Sequence, residues 1–248
     1  MQARPSGSGD PSDLTLVSAD GTRLTCTRES LCPASGLLLH QQSDGTLHTL
    51  LFTRADEDGA TLALLLQFLE HVTVDCGPAS AHLYVRVIAL LQRHNCPRVI
   101  GHLTLALERA LRQGHLPRAL AFCLGAVADD GALCAAALAC DEPPNAPHAY
   151  GLLDLDALPL EVVQAVPPVY FWLLNRAFRR RINNKTSWAE LATWFEREAS
   201  RVKVNASGSH AELLRDNEAC AYVTDDMRRS LQLALSSKGS SPKNGTGV

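Results

Sequence analysis

Near the start of the chain, apolar and polar residues alternate with a period of two. The apolar positions of this pattern are Leu14, Leu16, Leu24 and Cys26. A period of two places side chains on one face of an extended strand. The dipeptide Asp20-Gly21 lies between the two runs and is a strong turn signal. The pattern therefore predicts a β-hairpin.

The residues after the hairpin predict a helix, a third strand and a second helix. Ser30 is a candidate N-cap for the first of these helices, and residues 47–53 have the composition of a strand. The run Asp56-Glu57-Asp58 places negative charge where a helix N-terminus favours it. The apolar residues of the two helices are Leu31, Leu37, Leu38 and Leu39, then Leu62, Leu65, Leu66 and Leu69. The predicted order is β-β-α-β-α.

From Ser80 onward the apolar residues recur at helical spacing. Ser80, Pro97 and Pro117 are predicted to begin three successive helices, because Ser is a common N-cap and Pro fits the first helical turn. Asp129-Asp130-Gly131 breaks the third helix, and an Ala-rich fourth helix extends to about Cys140. This part of the chain is predicted to be entirely helical.

A segment with three prolines, residues 141–148, is predicted to be a linker. Beyond it we expect a short helix over residues 158–166, a longer helix beginning at Pro168, and a weaker last helix over residues 225–235. Ser187 and Glu190 have the spacing of a capping box, which predicts another helix start. Three aromatic residues of that helix are predicted to pack in the core rather than to form a stacking platform: Trp188, Trp194 and Phe195.

Composition places these elements in an α+β protein. Apolar residues make up 46% of the chain but aromatic residues only 5%, so the core must consist mainly of Leu, Ala and Val. Residues 13–112 are predicted to form the αβ domain, and residues 113–235 an all-helical extension. Residues 1–12 and 236–248 are rich in Ser, Gly and Pro, so both ends are expected to be disordered tails.

The charge pattern argues against nucleic acid or membrane as a partner. A formal charge of −3 gives no broad positive field, and no stretch approaches the apolar length of a membrane span. Residues 1–20 contain Pro, Gly, Ser and Asp where an export signal needs a continuous apolar run. The eight cysteines are scattered without a CxxC pair, as expected for small buried side chains in a reducing compartment. We expect a cytoplasmic or nuclear protein.

The sequence contains no compact catalytic, cofactor or metal signature. His94 and Cys96 are the closest His/Cys pair, but no second pair stands at zinc-ligand spacing. Glycine motifs that cradle phosphate are also lacking. No catalytic, cofactor-binding or metal-binding residue is therefore assigned. The alternative class is an enzyme whose cysteine and histidine meet only in the folded protein.

One concentrated basic patch stands out in the second half of the chain. Its residues are Arg176, Arg179, Arg180, Arg181 and Lys185. Such a patch can bind nucleic acid, an acidic protein or an import receptor. The favoured interpretation is an exposed helix end, with Arg179 to Arg181 in the last turn, where cations match the helix dipole. Glu190, Glu196 and Glu198 follow closely enough to neutralise it.

A strand and Asp-Gly turn at residues 13–21 are followed by a second strand and then by Arg28, Leu31 and Ser35. This arrangement resembles the opening of the BTB/POZ family, whose fold is shared by the Skp adaptors and elongin C. Thr27 stands where the family usually has His, and the helix junction at residues 94–97 also resembles the family. Numerous fungal BTB proteins have a helical tail similar to the segment that begins with Leu158-Pro159-Leu160-Glu161.

The resemblance implies a protein that recognises other proteins and is not an enzyme. BTB/POZ domains form homodimers or dock partners, including the cullin scaffolds of ubiquitin ligases. The family segment that matches Thr27 and Arg28 leads into a helix used for dimer packing. Thr27 and Arg28 are therefore expected at the edge of an interface with a second copy or with a partner. Arg179, Arg180 and Arg181 are the candidates for a second partner-binding surface.

Overall fold

The computed structural model describes residues 13–34, 36–37, 49–71, 77, 79–140, 158–184 and 186–208. The linker over residues 141–148, both predicted tails and the predicted helix over residues 225–235 lie outside these residues. The fold is mixed α+β, mostly helical, with one small sheet. This agrees with the fold class predicted from the sequence.

The predicted hairpin is present and forms two of the three strands of the described sheet. Strand β1 (Asp13–Val17) pairs antiparallel with β2 (Arg23–Thr27), and Leu14 faces Cys26 across the pair. Strand β3 (Thr49–Leu51) lies parallel to β1 on its other side, so the order is β2-β1-β3. Gly21 makes the turn with a φ of 81°, a conformation that glycine adopts without steric cost.

Helices follow the strands in nearly the predicted order. In chain order they are α1 (Arg28–Leu31), α2 (Gly59–His71), α3 (Ala81–Arg93), α4 (Pro97–Arg112), α5 (Arg118–Val127), α6 (Gly131–Ala139), α7 (Leu160–Ala165), α8 (Pro168–Asn184) and α9 (Trp188–Gly208). A 3-10 turn, Cys32–Ala34, follows α1 directly. The helix starts predicted from Pro97, Pro117 and Pro168 are confirmed within one residue.

Two predicted caps differ from expectation: Ser30 in its position, and Ser80, which is the N-cap of α3, in its side-chain hydrogen bond. Helix α1 begins at Arg28, and its N-cap is Thr27, whose hydroxyl accepts a hydrogen bond from the Ser30 amide at 3.2 Å. Ser30 therefore lies inside the first turn, so the prediction that it is the cap was wrong. Ser80 does precede α3, but its hydroxyl bonds back to the backbone of Gly77. The Ser80 hydroxyl donates to the Gly77 carbonyl because short hydroxyl side chains readily bond to nearby backbone groups.

Acidic side chains join the hairpin to the start of α2, as the sequence predicted for this helix. Asp20 accepts hydrogen bonds from the amides of Thr22 and Gly59 at 3.0 and 3.1 Å. Asp58 accepts one from the Thr61 amide at 2.8 Å and also pairs with Arg86 on α3 at 2.7 Å. The N-terminus of α2 is thus fixed to both the sheet and the neighbouring helix.

The buried residues form one continuous hydrophobic cluster that includes side chains from the sheet and from both halves of the chain. The apolar faces of the hairpin and its covering helices predict eight buried residues: Leu14, Leu16, Leu24, Cys26, Leu31, Leu65, Phe68 and Leu69. Six of them are buried: Leu14, Leu16, Cys26, Leu31, Leu65 and Phe68. Leu24 and Leu69 are only partly buried against the same cluster. The core prediction is confirmed for most of its positions.

In the helical half, α6 packs on α5 and on α9, and α8 packs beside α9. A side chain at Gly131 would come within 2.9 Å of the Ala199 methyl group, so small residues allow α6 and α9 to approach closely. Among the residues that the structure describes, no helix has both the length and the apolar character needed to cross a membrane.

Candidate interaction surface

Helix α8 positions the basic patch because its apolar and cationic residues occupy different faces. Tyr170, Leu173, Leu174 and Ala177 recur at helical spacing and are buried. Arg176, Arg179 and Arg180 fall between them and are exposed. The α8 patch, defined here as Arg176, Arg179, Arg180 and Arg181, is therefore held on a helix anchored to the core.

The sequence predicts Arg179, Arg180 and Arg181 in the last turn of α8, and this prediction is wrong for two of them. Helix α8 continues to Asn184, so only Arg181 belongs to its final turn, and Arg179 and Arg180 lie earlier. The helix extends through residues 182–184 and ends just before the capping box of α9. The contribution of the helix dipole to Arg179 and Arg180 is therefore weaker than predicted, since that effect fades beyond the last turn.

Tryptophan rings support three of the four arginines. The guanidinium carbon of Arg176 lies 4.7 Å from the ring centre of Trp172 and 5.8 Å from that of Trp194. Arg180 lies 5.8 Å from the same Trp194 ring, and Arg181 lies 3.6 Å from that of Trp188. These distances are within the range of cation–π attraction. All three tryptophans of the chain therefore contact this one patch.

The aromatic residues of α9 both pack in the core and contact the basic patch. Phe195 is fully buried, Trp194 is 9% exposed, and Trp188 is partly buried. Their predicted place in the core is thus confirmed for Phe195 and Trp194. The rings of Trp188 and Trp194 also make cation–π contacts with arginines of the α8 patch. A tryptophan can do both because its large ring can be buried at one end and contact a polar group at the other.

The glutamates expected to neutralise the patch form no ion pair with its arginines among the described residues, so neutralisation stays a prediction. Glu190 accepts hydrogen bonds from the amide and hydroxyl of Ser187 at 3.0 and 2.9 Å, and these bonds lower its pKa. Glu198 pairs instead with Arg201 at 2.8 Å and contacts Arg197 at 3.8 Å. Within the described part of the chain, no carboxylate forms an ion pair with any arginine of the α8 patch. The patch keeps its positive charge available to a partner.

An open groove adjoins the patch between α8 and α9. It encloses about 630 Å³ and is lined by Arg180, Asn184, Thr186, Glu190, Thr193, Trp194 and Arg197. Arg180 and Arg197 contribute two guanidinium groups, and the amide and hydroxyl groups add neutral hydrogen-bonding positions. Glu190 is the one acidic residue among the described residues that line it. The groove is polar and cationic, and it has room for a peptide segment.

The other candidate residues, Thr27 and Arg28, lie at the junction of β2 and α1. Both are exposed, and the hydroxyl of Thr27 is 2.8 Å from that of Ser30. Strand β2 and helix α1 contact each other and α2, whereas the α8 patch lies on a helix that packs against α9. The two sets of candidate residues therefore belong to different parts of the fold. Thr27 also has a local role, because it caps α1.

The His94 and Cys96 pair does not have the features of a reactive centre. The Cys96 thiol points to the carbonyl oxygen of His94 at 3.5 Å, and burial raises the pKa of Cys96. Burial also raises the pKa of Cys123 to about 12. A nucleophilic cysteine instead needs its pKa lowered, so that the thiolate is present. The described residues contain no group of three or more His, Cys, Asp or Glu placed to hold a metal ion.

Asp129 and Asp130, in the turn between α5 and α6, both form hydrogen bonds that stabilise the fold. Asp130 is the N-cap of α6, with its carboxylate 3.0 Å from the amides of Ala132 and Leu133. Asp129 accepts a hydrogen bond of 2.7 Å from the hydroxyl of Tyr170. Burial, together with this bond, raises the pKa of Tyr170. The turn thereby connects α6 to the buried face of α8.

The interleaving of arginine with tryptophan was missed from the sequence, although part of it was visible there. Trp172, Arg176 and Arg180 follow one another at intervals of four, which places them in line on one helix face. The approach of Trp188 and Trp194 to that line depends on how α8 and α9 pack, which periodicity does not reveal.

Comparison of the chain with protein-family models, with curated proteins and with solved structures finds no match.

Proposed function

We propose that this chain is a protein-interaction module that recruits a partner through the α8 patch. The observation that carries the proposal is the set of four cations on one helix, which have no ion-pair partner among the described residues. Arginine and tryptophan are the residue types most enriched at the energetic centres of protein interfaces. Here they occur together where α8 packs beside α9.

The charge of the whole chain favours a protein partner over nucleic acid. Useful affinity for nucleic acid requires many phosphate contacts spread over a surface, whereas the patch is local and the chain has a net charge of −3. Four cations on one helix match a short acidic region of a folded or extended protein more closely.

Self-association and cullin recruitment are the finer parts of the proposal, and they rest on the BTB/POZ resemblance. In this arrangement, the junction at Thr27 and Arg28 contacts a second copy or a partner, and the α8 patch supplies a separate surface. Light scattering of the purified chain tests self-association. A dimer that the Arg28→Glu variant converts to monomer supports the proposal. A strict monomer that also shows no binding to a purified cullin contradicts this finer part.

The alternative function, an enzyme with a cysteine nucleophile, is less well supported. The described thiols with resolved pKa changes, Cys96 and Cys123, are both shifted towards the unreactive, protonated form. No compact catalytic signature is present in the sequence to offset this.

Quantitative affinity purification from cells of the source organism tests the function. The test variant is Arg179→Ala/Arg180→Ala, which removes two charges from the α8 patch. The matched control is Arg98→Ala/Arg109→Ala, which removes two exposed arginines from α4 that have no ion pair among the described residues. A partner that is lost with the first variant and kept with the second supports recruitment through α8. Equal recovery with both variants contradicts it.

A further inference from the structure

The side-chain contacts of the α8 patch indicate the chemical class of its partner. A guanidinium group bonds to anions through its N–H edge, while its flat face stacks on aromatic rings. In the α8 patch, Arg176 and Arg180 lie over the Trp194 ring, and Arg176 also lies near Trp172. At these distances cation–π attraction to the rings restricts the side chains, and no ion pair with a described carboxylate occupies their N–H groups.

Restriction of the side chain matters because long cationic side chains lose much conformational freedom when they bind. Each immobilised side chain of this kind costs about 0.5–1.5 kcal/mol on association. The rings of Trp172 and Trp194 reduce this cost before a partner arrives, since they already hold the guanidinium groups. Exposed arginines elsewhere, such as Arg98 and Arg109 on α4, have no aromatic contact among the described residues.

The groove between α8 and α9 continues this surface. Arg180 lines it together with Arg197, and Asn184, Thr186 and Thr193 add hydrogen-bonding groups that suit a peptide backbone. The carboxylate of Glu190 is already engaged by Ser187, and its pKa is lowered by those hydrogen bonds. Glu198 also lies 3.8 Å from Arg197, but the five arginines of the groove and of the adjoining α8 patch outnumber these two carboxylates.

We infer that the groove between α8 and α9 binds a short acidic peptide segment of a partner protein, whose carboxylates are held by Arg176, Arg180 and Arg197. This inference rests on the proposed function and adds the chemical class of the partner. Arginine binds carboxylate through two parallel N–H···O bonds, a geometry that a lysine cannot reproduce. The complementary charge between the cationic groove and an acidic segment selects this occupant.

The tryptophans provide a direct measure of occupancy. Because all three contact the α8 patch, a ligand held there should change the intrinsic tryptophan fluorescence of the full-length chain. The probe is a labelled peptide of about twelve residues that alternates Glu with Ser, titrated at about 0.15 M salt. Controls are the same peptide with Lys in place of Glu, a single-stranded oligonucleotide of similar length and vesicles containing an anionic lipid.

The expected result is saturable binding of the Glu peptide, with a change in tryptophan emission and no binding of the Lys peptide. Arg176→Ala/Arg180→Ala should weaken binding by about tenfold or more, and Arg98→Ala/Arg109→Ala should leave it unchanged. Arg176→Lys/Arg180→Lys keeps the charge but loses the planar edge, so it should bind more weakly than the parent chain. Thermal unfolding of each variant confirms that it is folded.

Three results would overturn the inference. The first is an absence of Glu-peptide binding, the second is equal binding by the parent chain and the double Ala variant, and the third is tighter binding of the oligonucleotide or the vesicles. If the Glu peptide does not bind while affinity purification still shows an α8-dependent partner, the partner segment is not acidic and the recruitment function stands. If both experiments fail, the proposed function is wrong as well.

Discussion

At the scale of single residues, the same side-chain types have different roles according to what surrounds them. Arg86 and Arg93 on α3 are engaged by carboxylates of the segment before α2, and they hold the fold together. Arg176 and Arg180 contact tryptophan rings instead and keep their charge available. This difference in surroundings separates structural arginines from those that are proposed to bind a partner.

Leu65 provides a direct test of the αβ core. Its side chain is fully buried on α2, so Leu65→Ala should lower the free energy of unfolding by about 2–5 kcal/mol, through lost burial and the cavity left behind. Leu105→Ala is the control, because Leu105 is 63% exposed and should change stability little. Urea unfolding of both variants measures the difference. Equal stabilities would contradict the placement of Leu65.

At the scale of elements, helix ends are defined by specific side chains. The capping box that opens α9 was predicted from Ser187 and Glu190, and both of its hydrogen bonds are present. Asp130 caps α6, a nine-residue helix that packs against both α5 and α9. The first turn of α6 packs closely on α9, since Gly131 lies against Ala199.

Removal of the α6 cap should have a measurable effect. Asp130→Ala leaves the amides of Ala132 and Leu133 without their carboxylate, and should lower the free energy of unfolding by about 1 kcal/mol. Asp130→Asn is the matched control, since Asn caps helices nearly as well as Asp. Thermal unfolding compares the two variants. A loss for Asn as large as for Ala would indicate that charge, rather than the cap, is responsible.

Local sequence predicted elements far better than it predicted the candidate surface. The hairpin, the Pro-initiated helices and the capping box depend on neighbours close in sequence, and they were confirmed. The cap of α1 was misplaced because Thr27 and Ser30 compete at the same turn. The approach of Trp194 to Arg176 and Arg180 depends on helix packing, so periodicity alone could not predict the α8 patch as it is built.

At the scale of the whole molecule, one hydrophobic cluster links the sheet to the helical half, and ion pairs join them at the surface. Arg86 on α3 contacts both Asp58 before α2 and Glu161 on α7. Stability should therefore depend on the ionisation of a few carboxylates in the αβ half.

Acid should destabilise the chain. Hydrogen bonds from Ser18, Thr22 and Gly59 lower the pKa of Asp20. Burial raises the pKa of Asp56, but the hydrogen bond and charge of Arg93 outweigh it, so the net shift is downward. A carboxylate whose pKa is lower in the folded state than in the unfolded state stabilises the fold at pH values above its unfolded-state pKa. This stabilisation is lost as the pH falls below about 4. Urea midpoints at pH 7 and at about pH 3 measure this loss.

Asp20→Asn supplies the check on that explanation. Asn cannot ionise, so the variant should be less stable than the parent chain at pH 7 and should lose less stability on acidification. A variant with the same pH dependence as the parent would show that Asp20 does not contribute to the acid sensitivity.

Recruitment of a protein partner through the α8 patch is the function proposed for this chain. Its most direct test is the amount of partner recovered with Arg179→Ala/Arg180→Ala, divided by the amount recovered with Arg98→Ala/Arg109→Ala, in quantitative affinity purification from the source organism. The account predicts a ratio well below one for at least one protein, because only the first variant removes charge from the patch. A ratio of one for every protein recovered would contradict the account.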